Sequence, residues 1–422
     1  MSGSALQPRW YWVQHVSTHP MRPPIWRGRP PIAPVSHSST TGSLSGSPET
    51  TWRVDPTPSV TIGQDGETPE HHLAAPFDAI RLTDGRIVIA DWLGGALVFY
   101  DEHGELLLRT GRRGEGPGEF AALRDIARWA GDSIIVWDAG LRRYSIFDGN
   151  GRLGRTYGLA SAPGYTLTWV DGMFDDGASL VWGSLQAADE RSEGPVKREF
   201  PLFRISDTGK PLPLPTTVSS EYYVVRVEND ALSWISAPTL FAHERVAAAI
   251  GNTTVVGTAD RFAMDLIDAT GRLTTMVRIH QDPVPISGES RRMAEDLLLA
   301  QATRDATKAA LRRAIANMPD RKVLPAFGRW GWERAPQSTP PAAWFRGDPD
   351  GNIWVLAFDP HGTRARRWYV ISPEGRWLGH IVMPPGFEPL DIGSDYIVGW
   401  RANEVDVVSI VMHELHKPSD RD

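Results

Sequence analysis

The chain has 422 residues, 41% of them hydrophobic, with 40 Gly, 34 Pro, 17 Trp, no Cys and a formal net charge of −7. Without thiols there are no disulfides, thiolate nucleophiles or Cys-ligated zinc and iron–sulfur centres. The net negative charge removes any global electrostatic case for nucleic acid or an anionic bilayer, and no uncharged apolar run is long enough to span a membrane. This length exceeds one ordinary core unless a unit repeats radially, and many turns with many bulky aromatics favour an all-β repeat fold.

Residues 1–50 are rich in Pro, Ser, Thr, Gly and Arg, with acid only at Glu49. They lack the roughly 7–15-residue apolar core of a signal peptide. Prolines across 22–34 remove donors and restrict their neighbours, so neither helix nor ladder is expected there. The segment 1–50 reads as a disordered arm. Were the true start further in, ahead of a shorter export signal, 40–47 would be a linker remnant.

From about residue 51 a unit recurs about six times. At one constant offset Asp91 meets Asp138, Asp101 meets Asp148, Gly104 meets Gly151 and Leu106 meets Leu153. A third copy places Gly251, Asp268, Gly271 and Leu273 at the spacing of Gly131, Asp148, Gly151 and Leu153, and looser copies end at Gly209 and Gly375. Asp84-Gly85, Asp176-Gly177, Gly251-Asn252 and Asp350-Gly351 supply the positive φ of tight hairpins. Each is followed by a β-rich run: 86–90, 178–182, 253–257 and 352–357, with 133–137 in the second unit. A second run ends in a turn with Gly at its left-handed position, as in Asp101-Glu-His-Gly104, and a short last strand follows. Four antiparallel strands at this period make a propeller blade.

Blades are expected at 74–110, 119–158, 164–216, 221–281 and 322–383. The stretch 389–413 holds only three strands, and 55–63 supplies the missing outermost one, so an N-terminal strand closes the last blade. The expectation is an all-β, six-bladed β-propeller over 51–416 with four-stranded antiparallel blades and a tail at 417–422. Trp137, Trp182 and Trp354 fall in second strands, where they pack between neighbouring sheets. Between blades four and five, 287–320 changes to helix formers, with Leu297, Leu311, Ile315 and Met318 as an apolar stripe, a start at Ser287 or Ser290 and a stop at Pro319. This insertion either packs on its own propeller or covers the channel.

Strand order sorts the loops. First-to-second and third-to-fourth turns share one face and are short. The other face holds 112–120, 184–199, 359–367 and the helical insertion, which places the ring's function there. The most distinctive piece is Gly111-Arg-Arg-Gly-Glu-Gly-Pro-Gly-Glu-Phe120. It leaves one strand for another and no Gly-Lys-Ser/Thr follows, so it is neither a Walker loop nor a dinucleotide fingerprint. Its glycines shape the crossing between blades, while Arg112, Arg113, Glu115 and Glu119 are candidates for a polar ligand. Asp91, Asp138 and Arg142 in the repeated units join that set, although strand-end capping also explains the two repeated aspartates.

The runs Asp84-Gly-Arg-Ile-Val-Ile-Ala-Asp, Val98-Phe-Tyr-Asp-Glu-His-Gly and Gly111–Phe120 resemble a bacterial six-bladed β-propeller family related to NHL-repeat proteins, over roughly 51–413 and most strongly over 77–158. The resemblance implies an exported or envelope-associated protein, periplasmic or extracellular, of undefined function; no signal peptide is readable in the chain. It carries over no catalytic residues.

Propellers of the gluconolactonase type hold a divalent cation through acids and Asn of central strands. Asp78, Asp125 and Asp171 are candidate acids, and Ca²⁺ is the cation such oxygen ligands would suit, but no spacing selects a ligand set. His71-His72 lies in the first blade connection. His413-Glu-Leu-His416 is one residue short of the zincin pattern and falls at a strand end, so its rings share no helical face. Gly42-Ser-Leu-Ser-Gly46 has Leu where a nucleophile elbow needs Ser, and Asn252-Thr-Thr is a glycosylation sequon inside a tight turn. The leading expectation is a non-catalytic, monomeric binding scaffold for a protein, peptide or glycan. Its rival is a metal-dependent hydrolase or lyase using the same face. A sensor domain is a third reading, and would need a partner domain.

Overall fold

The computed structural model describes residues 38–43, 52–63, 73–159, 161–184, 192–228, 234–300, 302, 304–328, 345–359, 366–403 and 407–418. Most of the arm at 1–50, the His71-His72 pair and the end of the tail lie outside these residues. Within the arm, however, Ser38–Ser43 forms a strand pairing in parallel with Leu273–His280.

Blade one is built from Pro76–Arg81, Ile87–Asp91, Ala96–Tyr100 and Leu106–Thr110, and blade two from Leu123–Trp129, Ser133–Asp138, Arg143–Phe147 and Leu153–Gly158. Blade three comprises Thr166–Met173, Ser179–Ser184, Gly194–Ile205 and Pro211–Arg226. Blade four comprises Arg245–Ile250, Thr253–Thr258, Ala263–Ile267 and Leu273–His280. Blade five is Phe345–Gly347, Ile353–Leu356, Arg367–Ile371 and Trp377–Val382. Blade six takes Phe387–Ile392, Tyr396–Ala402 and Val408–His416 from the C-terminal end. Its outer edge comes from two short N-terminal strands, Arg53–Val54 and Val60–Ile62, both antiparallel to Val408–His416.

The turns form where the sequence placed them. Asp101 Oδ1 accepts from the backbone N–H groups of His103 and Glu105; Asp148 does the same for Asn150 and Arg152, and Asp268 for Thr270 and Arg272. The side chain thus substitutes for a ladder partner and starts the turn, and glycines at φ 89° (Gly104), 74° (Gly151) and 84° (Gly271) finish it.

Each blade-to-blade seam is a buried apolar cluster. Val60, Ile89, Val98 and Trp400 join blades six and one; Phe99, Phe120, Ile134 and Phe147 join one and two. Trp137, Tyr144 and Phe203 join two and three, and Phe174, Leu180 and Val256 join three and four. Met264, Phe327 and Ile353 join four and five, and Trp354, Trp368 and Phe387 join five and six. Every fully buried Ile or Phe in these seams contributes about 1.5–3 kcal/mol. The ring closes because each sheet is apolar on both faces, as the short runs in every second strand require.

Two boundaries differ from expectation. Residues 221–226 belong to blade three's outer strand, not to blade four, and they continue as a hairpin with Trp234–Pro238. The sequence there is one unbroken β-rich run, and its apolar partner is the insertion rather than a neighbouring blade. Tyr223, Val225 and Ala237 pack against Ala294, Leu298, Leu311 and Ala314 of helices α1 (Gly288–Ala300) and α2 (Asp305–Asn317). The insertion therefore packs on the propeller's own extension, and Ser287 Oγ caps α1 by accepting from the Ser290 N–H at 3.0 Å. Blade five begins at Phe345 rather than near 322; Phe327, upstream of it, fills the seam with blade four.

Candidate functional site

The innermost strand of each blade lines the central channel, and in four of them the ladder with the second strand slips. The register shifts between Pro76 and Asp78, Leu123 and Ile126, Val170 and Met173, and Pro389 and Asp391. A bulge inserts an extra residue and re-aims its side chain. Asp78 and Asp125 stand at the corresponding bulge of blades one and two; blade three slips twice, between Leu167 and Trp169 and again nearer the turn, where Asp171 stands, and the slip of blade six ends at Asp391.

These carboxyls are electrostatically coupled. Burial, then the charge of Asp125, pushes Asp78 up to about 7, against the N–H groups of Ile126 and Ala79 (2.9 Å each) and the charge of Arg346. Burial raises Asp125 to about 6, opposed by Arg124 and Arg346. Burial, with a further push from Asp125, raises Asp171 to about 8, opposed by the Trp182 Nε1–H at 3.1 Å and by Arg346. Arg346, on the inner strand of blade five, donates Nε to the Pro389 carbonyl at 3.1 Å and is the cation common to all three. Each acid retains some accessible surface while being enclosed by protein, as a side chain on the wall of a narrow channel is. Arg124 stacks over Phe77 (4.5 Å) and Trp92 (5.2 Å) at the end of these strands nearer the decorated face.

At the turn-side end the inner strands are bound together. Arg128 of blade two donates Nη1 and Nη2 to Asp391 of blade six at 2.5 and 2.8 Å, and Nη1 also reaches the Arg81 carbonyl. Asp391 further accepts from the Arg81 N–H at 2.9 Å and Tyr396 OH at 3.2 Å, while Arg81 lies over the Tyr396 ring. This bidentate clamp spans blade one.

The residues singled out from sequence lie at the decorated face; Asp91 and Asp138 are buried, Glu119 is half-buried, and Arg112, Arg113, Glu115 and Arg142 are exposed. Asp91 is fully buried and accepts from Ala75 N–H, Gly94 N–H and Arg109 Nη2. Asp138 has the same role one blade on, accepting from the N–H groups of Ala121, Ala122 and Leu141. Their repetition reflects how each blade connection is tied to the second strand. Arg142, at φ 51°, donates to the Leu167 carbonyl of blade three. Glu119 takes Arg112 on Oε1 (2.7 Å from Nε) and the Gly116 N–H on Oε2 (2.9 Å), and these partners hold it below the usual carboxylate range. A Cβ on Gly114 would fall 2.1 Å from that same Oε2, so the loop's glycines serve close packing around Glu119. Arg143 braces the loop through the carbonyls of Glu115, Gly116 and Glu119. Arg112, Arg113 and Glu115 remain exposed at the mouth side.

The channel acids were named in sequence without being selected, and Arg346, Arg128 and Asp391 were not singled out. One signal was present: the 47-residue offset from Asp91 to Asp138 also carries Asp78 to Asp125 and Arg81 to Arg128. Among the described residues no three channel acids bring their ligand oxygens within 4.8 Å of one another, the approach a shared cation needs.

Residues 66–156 match a protein-family model described as a 6-bladed beta-propeller, in agreement with the sheets. No curated protein matches the chain. Among solved structures, the chain is similar to a member of the duf4221 family from Bacteroides vulgatus at 10% identity and a TM-score of 0.48, covering 87% of this chain and 99% of that one. It is similar to a gluconolactonase from Xanthomonas campestris at 13% identity and 0.39, covering 81% and 86%. A catalytically inactive virginiamycin B lyase from Staphylococcus aureus, solved with quinupristin, matches at 11% identity and 0.36, covering 88% and 97%. No helix among the described residues is long and apolar enough to cross a membrane.

Proposed function

We propose that this chain is a non-catalytic, monomeric binding propeller that takes a protein, peptide or glycan at its decorated face, with the channel carboxylates receiving an amine or hydroxyl of the ligand. The observation that carries this reading is the set Asp78, Asp125 and Asp171, buried carboxyls on the inner strands of three consecutive blades, coupled through Asp125 and sharing the charge of Arg346. Protonated, such acids donate to hydroxyl groups; ionised, they accept from ammonium groups. The exposed Arg112, Arg113 and Glu115 would contact the ligand outside the channel. Export to the periplasm or beyond belongs to the same proposal, and cell fractionation of the native strain tests it.

The reading is tested by thermal-shift screening with basic peptides, amino sugars and oligosaccharides, followed by calorimetry on Asp125→Asn and on Arg112→Ala/Arg113→Ala. Binding that weakens at least tenfold in Asp125→Asn supports the channel. A ligand that binds wild type and both variants equally sinks it.

A hydrolase or lyase using the same acids is the second reading, favoured by burial that lifts all three carboxyls well above the ordinary carboxylate range, where an acid can hold a proton to donate. Turnover of a bound ligand that is lost in Asp171→Asn would establish it.

A further inference from the structure

We infer that Asp55, Glu414 and His416 form a binding site for a divalent transition-metal ion, zinc above all, that clasps the ring where its N-terminal and C-terminal strands meet. The motif His413-Glu-Leu-His416 lies on a β-strand, Val408–His416, and therefore works with period two. His413 faces inward, is fully buried and has its Nδ1 at 2.7 Å from the Asp55 carbonyl oxygen. Glu414 and His416 project together from the opposite face. Pairing of Arg53 with His416, and of the Asp55 N–H with the Glu414 carbonyl at 3.0 Å, brings Asp55 beside both.

One ligand atom from each residue lies within 4.8 Å of the other two. The His416 Nε2–Asp55 Oδ1 distance is 3.2 Å. Zinc bonds of about 2.0–2.1 Å place two ligands of a tetrahedron ~3.3 Å apart, so this pair already has the spacing of one edge. That same Nε2 is shielded from solvent and makes no hydrogen bond of acceptable angle, even to the carboxylate beside it. A metal on its lone pair would satisfy it. Glu414 is exposed on the same side of the strand. The nearby cations leave room: Arg53 stands 4.0 Å from Asp55, and Lys417 turns away toward Asp348 and Asp350. One imidazole with two carboxylates suits zinc better than calcium, and leaves a fourth position for water.

The full chain, stripped with chelator, should be titrated with zinc chloride against a chromophoric chelator and melted with and without the metal. The expected result is one zinc per chain and a raised Tm, since a ligand of the folded state stabilises it by mass action. His416→Ala and Glu414→Gln should each weaken zinc by more than the roughly 10–100-fold that loss of an outer-shell partner costs. If His416→Ala does not fold, Glu414→Gln, at an exposed position, decides alone. No zinc uptake, equal affinity in the variants, or the same Tm shift from calcium as from zinc would overturn the inference.

Discussion

Replacing Asp171 with Asn should remove part of this protein's loss of stability with rising pH. Burial holds the Asp171 carboxyl up to about 8, from an ordinary value of 3.8. Below about pH 4 both folded and unfolded forms are protonated at this group. Between pH 4 and 8 the folded form keeps a proton that the unfolded chain releases, so wild-type stability falls as pH rises, by at most ~1.4 kcal/mol per unit. Above pH 8 both forms are ionised and the loss is constant. Asn matches the protonated acid in size and still accepts from Trp182 Nε1, so the variant lacks this loss. Over the window the ceiling is about 5 kcal/mol; water in the channel screens part of it, and a relative gain of about 1–3 kcal/mol from pH 5 to pH 8 is expected. Urea denaturation of both proteins at pH 5, 6, 7 and 8 measures it. A variant-minus-wild-type difference that is flat with pH, or that falls, refutes the placement of Asp171 in a desolvated channel.

Asp391→Ala strands Arg128 and an Arg81 N–H, and should cost about 3 kcal/mol in chemical denaturation, whereas a cost below 1 would show the clamp to be solvent-screened. Asp138→Ala leaves three backbone donors without a partner and should destabilise by about 2–3 kcal/mol. By contrast, Arg112→Ala/Arg113→Ala should change stability by less than ~0.5 kcal/mol, because the Arg112–Glu119 pair is exposed on the arginine side. Deleting residues 1–63 removes Trp52, Val54, Val60 and Ile62 from two seams, and calorimetry should show loss of the single cooperative transition, which deletion of 1–37 should preserve.

What could be read from sequence was whatever is local. An aspartate two and four residues ahead of the N–H groups it accepts, with glycine in the left-handed position, writes each turn within five residues, as at Asp148–Arg152. The closing strand at 55–63 was legible because a three-strand blade needs a fourth. The outer strand of blade three was not, because no Pro or Gly interrupts 216–226 to mark where one blade stops, and the true partner of its end, the helix pair, lies far along the chain. The channel was hidden for a related reason. Arg128 and Asp391 are 263 residues apart and meet only once the ring has closed. Asp91 and Asp138 drew attention through the same offset that relates Asp78 to Asp125, yet the first pair lies under the loops and the second lines the channel. An offset identifies equivalent positions in two blades; burial and bulge geometry decide which of them line the channel.

The ring has one covalent gap, and the structure spans it at two radii. At the outer edge, Val60–Ile62 and Arg53–Val54 pair with Val408–His416, a few ladder residues in all. At the inner edge, Arg128 and Asp391 tie blade two, on the N-terminal side of the gap, to blade six on the other. The channel radius depends on both, because Asp78, Asp125 and Asp171 stand on the strands whose separation those contacts fix. Loosening either should therefore reach the carboxyls as hydration, lowering their proton affinities toward ordinary values. The inner clamp and the channel acids are thus mechanically linked although they share no hydrogen bond among the described residues, and a change in Asp171 proton affinity in the Asp391→Ala variant would be the signature of that link.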